Sequence, residues 1–160
     1  MINVAIMGYG TIGSGVFQVI KENNKVLKEE VWDDIQVKLI LDHKDIEDED
    51  CKDKQVKDFL LIENDPEINI VVETMGGLSP AYDFVKRCLL AGKHVVTSNK
   101  ALVAAYGTEL LKIAAKNNVN FMFEASVGGG IPVIRTMAKA FAGEKIKEIK
   151  ELPRSEERRV

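Results

Sequence analysis

The sequence predicts an α/β fold: an open, doubly wound, mostly parallel sheet with helices on both faces. Two observations carry this. Short apolar runs alternate with segments of helical periodicity almost throughout the 160 residues. A glycine-rich turn joins the first run to the first helical segment, the usual opening of a strand–turn–helix unit. Strands separated by helices pair in parallel through right-handed crossovers, and this sets the topology.

"INVAIM" reads as a buried first strand. The glycine turn follows, then a helix from about Thr11 to Leu27. "IQVKLIL" is the second strand, and residues 43–55 form a polar loop. "VKDFLLIEN" is a short helix or an irregular segment, and "INIVVET" is a strand. "SPAYDFVKRCLLAG" is a helix with marked edges: Ser79 as cap, Pro80 in the first turn, Gly92 at the end. "KHVVTS" is a strand and "ALVAAYGTELLKIAAKNN" a helix containing Gly107. "VNFMFEAS" is a strand, "GGGIP" a turn, "VIRTMAKAFAG" a helix, and "KIKEI" a last strand. The domain so outlined covers residues 1–150. Residues 151–160 are charged and contain a Pro, which predicts a disordered or non-native tail.

Composition narrows the functional classes. Hydrophobic residues make up 46% and charged residues 29%, as in an ordinary soluble globule. A formal net charge of -3 gives no electrostatic reason to expect nucleic acid or an acidic membrane as partner. The acidic stretch "DHKDIEDEDCKDK" is interleaved with Lys and reads as a solvated loop. Cys51 and Cys88 have neither a disulfide framework nor metal-ligand spacing, and Cys88 falls in step with the apolar face of its helix. No apolar run reaches the ~20 residues of a membrane span, and the chain enters structure at once. The expected location is the cytoplasm.

"GYGTIG" sets Gly8, Gly10 and Gly13 in the G-x-G-x-x-G spacing between strand and helix. Gly8 permits the tight turn, Gly10 lets a pyrophosphate approach the backbone, and Gly13 lets helix and strand pack closely. Free N–H groups at the helix start then face the phosphates. This is a dinucleotide fingerprint on a Rossmann-like sheet. Asp42 ends the second strand, where an acid accepts hydrogen bonds from ribose hydroxyls. It lies farther from Gly13 than the about 20 residues of the usual fingerprint. The stretch "NNKVLKEEVWDD" is long enough to absorb the excess, and an ordinary loop Asp is the competing reading. Lys44 lies near enough in sequence to meet a 2′-phosphate, so the residues leave NAD and NADP both open. Two further loops fall at strand ends: "TMGG" from Thr74 and "TSNK" from Thr97. Lys100 stands at a helix start, where a cation opposes the macrodipole, and this favours a functional role for it.

Taken together, "GYGTIGSGV", "VVETMGG", "AGKHVVTSNKAL" and "FEASVGGGIPVIR" resemble homoserine dehydrogenase, in that order, over residues 2–149. The resemblance implies NAD(P)-dependent interconversion of aspartate semialdehyde and homoserine, on the route to threonine and methionine. It implies that the loop running from Gly8 and Gly10 through Thr11 and Ile12 to Gly13 holds the pyrophosphate. Thr74 and Met75 would lie along the cofactor. Ser98 and Lys100 would flank the nicotinamide, with Lys100 toward the substrate. Main-chain oxygens of Glu124, Val127, Gly129 and Ile131 would hold a monovalent cation, usually sodium. Leu41 precedes Asp42 where NADP-using members commonly carry Arg, and this favours NAD.

The resemblance further implies a second domain, supplying the main acid–base groups and most of a homodimer interface. Nothing in "KELPRSEERRV" matches its beginning. The expectation is therefore a cofactor-binding chain inactive by itself. His43, in the distal polar loop, and His94, at the amino end of a strand, are poor substitutes for the missing acid. Two other readings compete: a stand-alone NAD-binding or redox-sensing module, and a methyltransferase. "TSNK" and "SVGGGIP" argue against the latter.

Overall fold

The structure is a computed structural model and describes residues 1–150. The expected tail, 151–160, lies outside the described residues. The elements in chain order are β1 (Ile2–Met7), α1 (Thr11–Glu22), α2 (Asn24–Val31), β2 (Ile35–Leu41), β3 (Gln55–Val56) and α3 (Leu60–Glu63). They continue with β4 (Ile68–Glu73), α4 (Ala81–Leu90), β5 (His94–Thr97), α5 (Lys100–Lys116), β6 (Phe121–Met122) and α6 (Val133–Ala140). All six strands form one parallel sheet in the order β3-β2-β1-β4-β5-β6. The order reverses between β1 and β4. A dinucleotide-binding sheet opens its ligand crevice at such a switch, beyond the carboxyl ends of the strands.

Strand alternation gives each sheet face its own core. Val4 and Ile6 pack with Phe17 of α1 and with Val37, Ile40 and Cys51. Ala5 and Met7 face the other way, toward Val85, Cys88 and Leu89 of α4 and Leu102 and Leu110 of α5. Burial pushes the Cys88 thiol up to about 12, so it behaves as a small apolar filler.

The expected helix from Thr11 to Leu27 is two helices broken at Asn23, whose side chain donates to Val19 O (3.1 Å). An Asn that can bond the preceding turn favours a helix end over a helix interior. The second helix, α2, is the insertion that separates Asp42 from the glycine turn. Residues 43–55 are not all loop, because Gln55 enters β3. That strand is too short for any periodicity. "VKDFLLIEN" shrinks to α3, with Val56 in the sheet. Ser79 does not cap α4: the helix begins at Ala81, and Pro80 occupies the capping position. "VNFMFEAS" forms strand only at Phe121–Met122, then a single 3₁₀ turn over Glu124–Ser126. "KIKEI" is not a strand. Ile146 and Ile149 are three apart, so a strand would send them to opposite faces, and both are exposed.

Candidate functional site

The glycine turn is built by close approach. A Cβ placed on Gly13 would lie 1.9 Å from the Gly8 carbonyl oxygen, so only glycine lets α1 rest on the end of β1. Gly8 has φ +97°, and a Cβ there would meet Met75 N at 3.0 Å. Gly10 is different: a Cβ there meets nothing within 4 Å, because the space before it is open. Gly10 also occupies the capping position of α1. It has no side chain to satisfy the helix, and the first turn carries no acid. The N–H groups of Thr11, Ile12 and Gly13 are therefore available to an anion.

Asp42 reaches back to this turn. Its carboxylate accepts from Tyr9 N–H (2.6 Å) and Lys44 N–H (2.9 Å). Each oxygen keeps a further lone pair for a ribose hydroxyl. Beside it lies a pocket of about 330 Å³ lined by Gly8, Asp42, His43, Met75, Pro80 and Phe84, among others. His43 is thus corrected: it lies at the mouth of the crevice, not away from it. No pattern in the sequence marked it, because it follows the strand-end acid by chain connectivity alone. On the other side of Asp42 is a space of about 460 Å³ bordered by Lys44, Asp45, Glu47 and Asp48. The Lys57 ammonium beside Asp45 holds that carboxyl below the ordinary range. The Asp50 N–H and the Tyr9 hydroxyl do the same for Asp48. The Tyr9 hydroxyl also takes the Cys51 thiol at 3.0 Å, pinning the acidic loop to the glycine turn.

Across the switch point the loops are tied by side chains. Thr74 Oγ1 donates to Gly8 O at 2.7 Å. Glu73, at the end of β4, has no solvent exposure and accepts from Met75 N–H (2.9 Å), Gly76 N–H (3.2 Å) and the Thr97 hydroxyl. Thr97 Oγ1 accepts from Asn99 N–H at 3.0 Å. Asn99 caps α5 by accepting from Leu102 N–H (3.1 Å), and its amide donates to Gly77 O (2.6 Å). Ser98 and Lys100 sit on this frame. Lys100 is exposed as the first residue of α5, and no carboxylate pairs with it among the described residues. Thr97 and Asn99 belong to the "TSNK" loop already marked in the sequence, whereas Glu73 was missed. Glu73 had a findable signal: an acid ending an otherwise apolar buried strand requires partners.

Glu124 bends toward α6, accepting from Ile134 N–H (2.8 Å) and Arg135 N–H (2.9 Å). Its carboxylate is thereby committed to a helix start, which leaves main-chain oxygens as the donors in the 124–131 turn. Glu124 O and Ile131 O already accept hydrogen bonds, from Val127 and Gly128 N–H and from Val133 N–H. Among the described residues no group of His, Cys, Asp or Glu could hold a metal ion. His94 lies at the amino end of β5 as expected, its Nδ1 accepting from Asn120 N–H. No described helix is long and apolar enough to cross a membrane.

Residues 8–124 match the family described as homoserine dehydrogenase, NAD binding domain. Homoserine dehydrogenase of Lactococcus lactis subsp. lactis (strain IL1403) is 40% identical over 153 residues, covering 92% of this chain and 36% of that protein. The crystal structure of a homoserine dehydrogenase from Thiobacillus denitrificans superposes with a TM-score of 0.80 at 34% identity, over 89% of this chain and 33% of the other. A hyperthermophilic archaeal homoserine dehydrogenase in complex with NADPH gives a TM-score of 0.70 at 26% identity, over 85% and 47%. The chain therefore spans about a third of the curated relatives it matches. The fold, the glycine turn and the matched segment agree, and the chain belongs to the homoserine dehydrogenase family through its NAD-binding domain.

Proposed function

We propose that this chain binds NAD(H) across the carboxyl edge of its sheet. It would thereby supply the cofactor-holding part of an enzyme interconverting aspartate semialdehyde and homoserine, in threonine and methionine biosynthesis. The observation that carries the reading is the uncapped start of α1, with open space before Gly10 and Asp42 beside it. The N–H groups from Thr11 to Gly13 hold the pyrophosphate, and Asp42 holds the adenosine ribose. Thr74 and Met75 line the crevice, and Ser98 and Lys100 flank the nicotinamide half. A bound nicotinamide supplies the hydride chemistry. Residues 1–150 act as one dinucleotide-binding unit.

NAD is favoured over NADP. A 2′-phosphate beside Asp42 would enter the space bordered by Asp45, Glu47 and Asp48, with Lys44 as the opposing cation. A monovalent cation such as sodium would sit on the carbonyls of Glu124, Val127, Gly129 and Ile131. Neutral oxygens of a glycine-rich turn suit a hard, weakly charged ion. The complete enzyme is a cytoplasmic homodimer acting on small molecules, with no nucleic acid or membrane partner.

Lys100 is the exposed ionisable group on the second rim loop, while Glu73 is enclosed and Glu124 engaged. Proton transfer to an alkoxide needs an acid in reach of substrate, typically worth about 10²–10⁴-fold. The expected behaviour is cofactor binding without turnover. Calorimetry with NAD(H) and NADP(H) at one salt concentration, followed by a homoserine oxidation assay, tests all three points. Absence of binding sinks the reading, tighter NADP sinks the preference, and ordinary turnover sinks the division of labour.

A further inference from the structure

Glu73 closes the middle strand of the site with a fully enclosed carboxyl group, although Val or Ile would pack a strand end more cheaply. Its two oxygens face different loops. Oε1 takes the N–H groups of Met75 and Gly76, and Oε2 takes the Thr97 hydroxyl. Glu73 and Thr97 are register partners at the ends of β4 and β5. From Thr97 the chain of bonds runs to Asn99, which returns to Gly77 O and caps the helix that Lys100 begins. The bonds thus form a closed circuit joining both loops after β4 and β5. Thr74 links that circuit to Gly8 in the phosphate turn. No buried side-chain polar atom in the circuit lacks a partner.

Resting on the dinucleotide reading above, we propose that Glu73 is a positioning residue. Through Thr97 and Asn99 it sets the β5–α5 loop, and with it Ser98 and Lys100, relative to the phosphate turn. The adenosine half of the ligand rests on Gly8–Gly13 and Asp42, which the circuit meets through Thr74, bonded to Gly8 O, and through Met75, whose backbone packs on Gly8. The nicotinamide half extends past the switch point onto the loops that the circuit fixes. Breaking the circuit at Thr97 therefore separates the two halves. Thr97→Val keeps the shape and removes the hydroxyl that bridges Glu73 and Asn99. Thr97→Ser restores the hydroxyl.

The test is calorimetric titration of the chain with NADH and with ADP-ribose, which lacks the nicotinamide, alongside melting curves. Thr97→Val should weaken NADH by about tenfold or more, the scale of a hydrogen bond to a carboxyl group, while ADP-ribose binding holds. Thr97→Ser should recover NADH binding. Glu73→Gln should show the same split more weakly, because its amide can still donate to Thr97 Oγ1. The emission of bound NADH should shift toward that of the free cofactor in Thr97→Val. Parallel loss of both ligands with a lowered melting temperature overturns the proposal, since that is a structural role. So does unchanged NADH affinity in Thr97→Val. A wild-type chain that binds neither ligand overturns the cofactor reading itself, and the positioning role with it.

Discussion

The two sides of the switch point are held by different forces. On the β1–β2 side the glycine turn keeps its shape because Gly8 and Gly13 leave no room for a Cβ. Around it the acidic loop is fastened by exposed ion pairs such as Lys57–Asp45 and Lys21–Asp50. On the β4–β5 side the turns are held by an enclosed acceptor, Glu73, and the polar groups that converge on it. Sterics and solvent-screened charge therefore shape one wall of the crevice, and buried hydrogen bonding shapes the other. Buried hydrogen bonds are costly to leave half made, whereas exposed ion pairs contribute little. The β4–β5 wall should be the more sensitive to single substitutions.

The largest expected effect follows from that contrast. Glu73→Leu removes the acceptor of the buried Thr97 hydroxyl, at about 1–3 kcal/mol, and that of the half-buried Met75 N–H as well. Chemical denaturation should register a loss greater than for any single change on the other wall. A loss smaller than that of Gly13→Ala would break the comparison.

Gly13→Ala comes next. Its Cβ must displace the Gly8 carbonyl, and overpacking of this kind costs about 1–3 kcal/mol. The displaced carbonyl is also the acceptor for Thr74, so cofactor affinity should fall with stability. An unchanged melting temperature would show that α1 can slide away from β1.

Gly10→Val sharpens the picture by separating binding from folding. A side chain there fills open space, so the melting curve should hold while NAD(H) binding is lost. Equal affinity by calorimetry would move the pyrophosphate elsewhere.

The smallest effect is expected from acid. Lys57 depresses Asp45, and the Asp50 N–H and Tyr9 hydroxyl depress Asp48. A depressed carboxylate contributes stability that is present above its unfolded value, near 3.9, and lost as pH falls through the lower folded value. Melting temperature should therefore decline only below about pH 4. Lys57→Ala should flatten part of that decline, with little change at pH 7. A marked drop at pH 7 would mean that the loop is held more firmly than exposed pairs allow.

Much of this protein was legible before any tertiary structure. Local pattern determined β1, β2, β4 and β5 to within a residue or two, because each is a run of apolar residues broken by glycine, proline or polar residues. It also determined the glycine turn, whose spacing is itself a steric statement, and the placement of Asp42 and "TSNK" at strand ends. What local pattern cannot hold is a partner distant in the chain. Gln55 joins the sheet only because β2 is there to receive it. Glu124 abandons a strand to bind the start of α6. His43 enters the crevice because the chain after Asp42 bends across it. The Glu73–Thr97–Asn99 circuit draws on two strands whose ends meet only when the sheet is assembled. Sequence determined which residues carry apolar surface, backbone freedom and charge. Tertiary structure decided which of the polar groups are removed from water together, because the cost of leaving a buried donor or acceptor unpaired arises only once the fold has enclosed it.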